Sequence, residues 1–97
     1  MKIQVNPEAI AAFCRRHHIR KLALFGSVLR EDFAPDSDVD VIVEFEPEHT
    51  PGYGFIGIQD DLSKFVDGRP VDLFTERSLH PLIRKRVMRE MQVVYAE

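Results

Sequence analysis

Asp38 and Asp40 stand two residues apart at the head of an apolar run, Val41-Ile42-Val43, and a Gly26-Ser27 dipeptide precedes Asp38 by ten intervening residues. Residues two apart on a strand point the same way, about 7 Å apart along the backbone, so both carboxylates would face one ligand. A tight Gly-Ser turn at a strand end offers backbone N–H groups and a hydroxyl to an anion. Together these residues describe a metal-dependent phosphate site that can hold a nucleoside triphosphate and its magnesium. Magnesium takes hard oxygen donors and commonly joins one or two carboxylates to substrate phosphates, which makes Asp38 and Asp40 the candidate ligands. Asp72 is the candidate third. On a neighbouring strand it would complete a cluster able to hold two cations about 3.5–4 Å apart, against the attacking and leaving oxygens of a phosphoryl displacement.

Each residue also has a plain structural use. Asp36-Ser37-Asp38 would serve as a capped turn, and a glycine before a short helix supplies positive φ. A calcium loop fails on its own terms: Asp36, Asp38 and Asp40 match the first three ligand positions, but Val41 replaces the glycine and Pro47 the terminal glutamate. The combination favours function, since a turn needs no upstream Gly-Ser and a buried strand gains nothing from two acids on one face. Arg30 can reach the same phosphates through its guanidinium. An ion pair with Glu31 or Asp32 serves it equally well.

The elements that must position these groups follow from periodicity. Asn6-Pro7-Glu8 reads as an N-cap, a first-turn proline and a first-turn acid, opening a helix that runs to about His18 with Ile10, Phe13, Cys14 and His17 inward. Lys21–Phe25 is a short strand stopped by Gly26, with a brief helical turn over Ser27–Arg30. From Asp38 to Phe45 the chain alternates, Val39, Val41, Val43 and Phe45 on one face and Asp38, Asp40, Ile42 and Glu44 on the other. Pro47–Gly57 reads as a loop longer than a hairpin requires, a candidate flap. Ile58, Leu62, Phe65 and Val66 form the stripe of a second helix ended by Asp67-Gly68, and Pro70–Phe74 a third strand carrying Asp72. Leu79, Ile83, Val87 and Met91 mark a last amphipathic helix with Arg84, Lys85, Arg86 and Arg89 on its wetter sides, before a terminal strand over Gln92–Tyr95.

Ninety-seven residues predict a single domain over residues 1–97, burying about 60–65% of the unfolded chain's surface. A net charge of -3 excludes nucleic-acid binding carried mainly by non-specific charge, and no stable nucleic-acid partner is expected. One cysteine, Cys14, leaves no intramolecular disulfide and no cysteine zinc framework. No signal-like start and no apolar run of about 20 residues is present, so a cytoplasmic protein without a membrane partner is expected. His17, His18, His49 and His80 lack the i,i+4 pairing of a zinc helix and read as helix-end or loop residues. His49 and Tyr53 are candidates to close over a nucleotide.

Leu24-Phe25-Gly26-Ser27, Arg30, Pro35-Asp36-Ser37-Asp38-Val39-Asp40 and Arg69-Pro70-Val71-Asp72-Leu73 resemble the minimal nucleotidyltransferase (MNT) domains of the DNA polymerase beta-like superfamily, over nearly the whole chain. The resemblance implies an α/β (α+β) fold, a small mixed β-sheet flanked by helices. It implies that Gly26 and Ser27 hold the triphosphate, with Arg30 beside them, that Asp38 and Asp40 bind Mg2+, and that Asp72 completes the site nearest the attacking hydroxyl. Many such proteins are prokaryotic antitoxins encoded beside a HEPN-domain toxin, usually a ribonuclease. For that branch the resemblance implies transfer of AMP from ATP to a tyrosine of the partner, and a hetero-oligomer with it. Glu31 stands where many relatives have glycine, and the stretch around Gly52, Gly54 and Gly57 is longer than expected.

The leading reading is therefore a magnesium-dependent protein adenylyltransferase acting as an antitoxin. Its alternative is a non-catalytic binding module that neutralises its partner by occlusion, through exposed apolar or basic surface such as the Arg84-Lys85-Arg86-Arg89 helix. Transfer to a small molecule or an RNA end is weaker, because so small a chain shows no acceptor-binding domain.

Overall fold

The computed structural model describes residues 4–30, 37–49, 52 and 54–97. Glu31, Asp32, Pro35, Asp36 and Tyr53, named above, lie outside the described residues. The first helix, α1 (Pro7–Arg16), starts as its sequence dictates: Asn6 Oδ1 accepts from the amides of Glu8 and Ala9 at 2.9 and 3.2 Å, and Pro7 fills the first turn. Such a cap contributes about 1 kcal/mol. The helix stops two residues short of the expected end, because His18 takes the left-handed conformation at φ 58° and turns the chain directly into β1 (Ile19–Phe25). A 3-10 turn over Gly26–Leu29 follows, and β2 spans Val39–Phe45.

Helix α2 (Phe55–Ser63) begins earlier than the loop reading allowed and takes Gly57 into its interior. Asp67 and Gly68 both adopt positive φ, 60° and 71°, and reverse the chain into β3 (Val71–Phe74). Then come α3 (Pro81–Glu90) and β4 (Gln92–Ala96). The strands form one sheet in the order β3-β2-β1-β4. β1 runs antiparallel to both β2 and β4, while β2 and β3 are parallel, so the sheet is mixed, as expected.

One face carries the main core. Ile10, Phe13 and Cys14 of α1 and Ile58 and Leu62 of α2 bury against Leu22, Leu24, Val39, Val41 and Val43. Cys14 sits wholly inside, and burial pushes its thiol pKa up to about 12. The opposite face is covered by a smaller cluster in which Ala23, Phe25 and Ile42 meet Leu79 and Val87. Ile42, grouped by alternation with the acids, is thus buried too.

Helix α3 departs from its expected stripe. Leu79 is buried but precedes the helix, Val87 is buried within it, and Ile83 is 43% exposed. The helix is fastened from its start instead. Arg84, expected on the wet side, donates from Nε to the Glu76 carbonyl at 2.9 Å and from Nη2 to the carbonyls of Arg77 and Leu79 at 3.3 and 2.9 Å. No helix among the described residues is long and apolar enough to cross a membrane.

Candidate active site

The site is built where β1 ends and β2 begins. Antiparallel pairing sets Phe25, the last residue of β1, opposite Asp40, and parallel pairing sets Asp72 of β3 opposite Asp40 on the other side. Neighbouring strands lie about 4.8 Å apart and paired residues share a face, so Asp40 and Asp72 project side by side. Asp38, just before β2, points the same way as Asp40 by the period of two. The three acids singled out from sequence thus come to one edge of the sheet, beside the turn that holds Gly26 and Ser27.

β3 is an edge strand of four residues, and its placement has specific supports. The Val39 amide donates to the Pro70 carbonyl at 2.8 Å, which locks the start of β2 to the start of β3. On the outer edge, Gln59 Oε1 of α2 accepts from the Leu73 amide at 3.0 Å. Ser63 Oγ donates to the Arg69 carbonyl at 2.8 Å. Gln59 and Ser63 carried no motif, because their contribution depends on α2 lying alongside β3.

Asp40 and Asp72 hold their protons more tightly than ordinary aspartates. Asp40 is raised by burial, then by the charges of Asp72 and Asp38, against a lowering pull from Arg30. Asp72 is raised by desolvation, then by the charge of Asp38 and a hydrogen bond with its carboxyl. These shifts report burial first and neighbouring like charges second, and a bound cation would oppose both. The donor set, hard carboxylate oxygens in a mutually repulsive group, fits magnesium.

Gly26 fits the same use. It adopts φ 77°, and a Cβ there would lie 3.3 Å from Asp40 Cγ and collide with Oδ2 of the same carboxylate. The glycine therefore clears the space the acid occupies. Gly26, Ser27 and Arg30 line a cleft of about 600 Å³ with Asp40, and the far wall is Ile83, Arg86, Val87 and Glu90 of α3. Arg86 and Glu90 were not among the candidates. Their helical periodicity placed Arg86 with the solvated charges, and only the packing of α3 over the sheet turns it toward the site.

The histidines lie elsewhere. His17 packs on Phe13 with ring centroids 4.6 Å apart. His49, a candidate to cover the nucleotide, instead stacks on His18 at 3.9 Å, by the start of β1 and the end of β2. Seven residues of strand, about 20 Å, separate that end from the aspartates.

Comparison with known proteins agrees with this geometry. Residues 7–94 match the Nucleotidyltransferase domain. The protein adenylyltransferase MntA of Thermococcus cleftensis is 40% identical over 80 residues, covering 82% of this chain and 77% of that protein. A structure solved as a minimal nucleotidyltransferase is 35% identical, with a TM-score of 0.70 over 88% of this chain and 85% of that one. A toxin-antitoxin crystal structure with AMP-PNP shares the fold at a TM-score of 0.74 and 19% identity, covering 96% of this chain and 75% of that one. With the match running from the first helix into the last strand, the chain belongs to the nucleotidyltransferase domain family and is an enzyme of that class.

Proposed function

We propose that this protein transfers AMP from magnesium-ATP to a hydroxyl, a tyrosine, of a HEPN-type toxin and so acts as the antitoxin of a pair. The observation that carries this reading is the register that sets Asp40 opposite Asp72, with Gly26 clearing the space beside Asp40. The name of the 40% identical relative, a protein adenylyltransferase, supports the acceptor class.

In this reading Gly26 and Ser27 receive the β- and γ-phosphates through backbone amides and a hydroxyl, and Arg30 adds a guanidinium on the same side of the cleft. Asp38 and Asp40, with Asp72, hold magnesium, which supplies charge neutralisation at the α-phosphate. Asp72 stands on the edge strand, exposed, where an acceptor can approach. An exposed carboxylate on the edge strand can serve as the general base for a hydroxyl that approaches there. The acceptor oxygen bonds to the α-phosphorus, its proton passes to a carboxylate oxygen of Asp72, and the bond from the α-phosphorus to the bridging oxygen breaks to release pyrophosphate.

The test is intact mass spectrometry of the partner after incubation with this protein and magnesium-ATP, with Asp38→Ala/Asp40→Ala alongside. A partner heavier by whole AMP units only with wild type supports transfer. An unmodified partner that is bound and silenced supports the second reading, occlusion. That reading has its own observation: Leu82 and Ile83 on α3 are 86% and 43% exposed, and Ile83 lines the cleft, so a partner can cover them.

A further inference from the structure

At the end of the sheet away from the aspartates, three side chains from two distant stretches of sequence meet. His18 closes the turn between α1 and β1, and Glu46 and His49 follow β2. Each offers a ligand atom, and these atoms all lie within 4.8 Å of one another. Among the described residues, no other set of three His, Cys, Asp or Glu side chains comes so close. The three aspartates line their edge without closing to that distance.

We propose that His18, Glu46 and His49 form a second metal site, for a divalent transition ion of the zinc class, separate from the magnesium site. The donor chemistry sets the class. Two imidazoles and one carboxylate suit zinc and its neighbours, whereas magnesium takes oxygen ligands alone. The donors are already gathered: His18 Nδ1 lies 3.3 Å from Glu46 Oε2, and the His18 and His49 rings, stacked with centroids 3.9 Å apart, need one ring rotation for both nitrogens to aim at a single ion.

The backbone holds the donors in place. The Glu46 amide donates to the His18 carbonyl at 2.8 Å, and the His49 amide donates to the Glu46 carbonyl at 3.0 Å. The three side chains would leave the fourth position of a tetrahedral ion to water, as open zinc sites do, and the Glu97 carboxyl lies beside that of Glu46. Glu97 is itself tied down, its amide donating to the Arg20 carbonyl at 2.9 Å. The side chains of His18 and Glu46 are 50% and 33% exposed, so an ion has direct access. A bound ion would pin the segment after β2 to the α1–β1 junction, joining parts of the chain 28 residues apart.

The test uses the whole chain without a histidine tag, stripped of metal and titrated with zinc by calorimetry in saturating magnesium. Asp38→Asn/Asp40→Asn removes the other acidic site and should bind one zinc ion as wild type does. His18→Ala and His49→Ala should weaken that binding by at least about tenfold, the low end of what loss of even a supporting group costs a metal site. Circular dichroism checks that these variants fold. As an independent measure, zinc should shift the ring signals of His18 and His49 in wild-type NMR spectra. No zinc binding by wild type, binding unaffected by both histidine variants, or ring signals that do not move would each overturn the proposal.

Discussion

Asp40 and Asp72 stand directly opposite one another across the parallel pair of β2 and β3, an arrangement that costs the fold energy and that a bound cation would relieve. Like charges opposite each other on neighbouring strands are destabilising. Asp72 is exposed and Asp40 half-buried, so solvent screening holds the penalty to about 1 kcal/mol rather than the several expected of a dry pair. Asp40→Asn should therefore raise the melting temperature in chelator by roughly 4–8 °C per kcal/mol relieved. Magnesium should raise that of wild type and leave that of the variant nearly unmoved. Equal melting temperatures for the two proteins in chelator would count against the clustering.

The same acids set a pH dependence. Asp40 and Asp72 both bind a proton more tightly in the fold than the ordinary value of 3.8. A raised acid stabilises the fold below its unfolded pKa, and the contribution is lost as pH rises through the folded value. Metal-free protein should thus lose stability as pH rises from about 3.8 through the raised values, a loss that Asp40→Asn reduces. Denaturant midpoints across that range, in chelator, measure it.

Gly26→Ala should impair both stability and nucleotide binding. The left-handed backbone costs an alanine about 1–2 kcal/mol, and the new methyl meets the Asp40 carboxylate. Gly57→Ala provides the contrast. Gly57 lies within α2 with open space around its Cα, so alanine should stabilise by about 0.5–1 kcal/mol and leave transfer unchanged. Thermal melts of the two variants should move in opposite directions.

Asp72→Asn should separate proton removal from phosphate binding. In saturating magnesium, with Asp38 and Asp40 intact, ATP affinity should fall far less than the transfer rate, which drops by about 100- to 10,000-fold, the range for loss of a general base. A rate within threefold of wild type would exclude Asp72 as the base.

On α3, Arg84→Ala should destabilise by about 1–3 kcal/mol, because it removes the donor shared by the Glu76, Arg77 and Leu79 carbonyls. Lys85→Ala, next to it and exposed, should stay within about 0.5 kcal/mol of wild type. Chemical denaturation of both shows whether the arginine acts as a fastening or as surface charge.

Local rules read directly from sequence account for much of the fold. The Asn6 cap, the stop at Gly26 and the alternation through Val39, Val41 and Val43 depend on neighbouring residues or on a period of two or 3.6, and each appears where expected, whereas the second helix, expected to run to Asp67-Gly68, ends at Ser63. Asp38, Asp40, Gly26 and Ser27 stand out as candidates for the same reason: one strand, one turn and a fixed spacing define them. What the chain could not declare locally is pairing. Only the register of β2 with β3 sets Asp72 beside Asp40, and only the docking of α3 brings Arg86 to the cleft and buries Ile42. Only the return of the chain after β2 brings Glu46 and His49 to His18. Contacts between residues far apart in sequence leave no periodic trace, because the free energy that forms them comes from burial and strand pairing across the whole sheet rather than from any one segment.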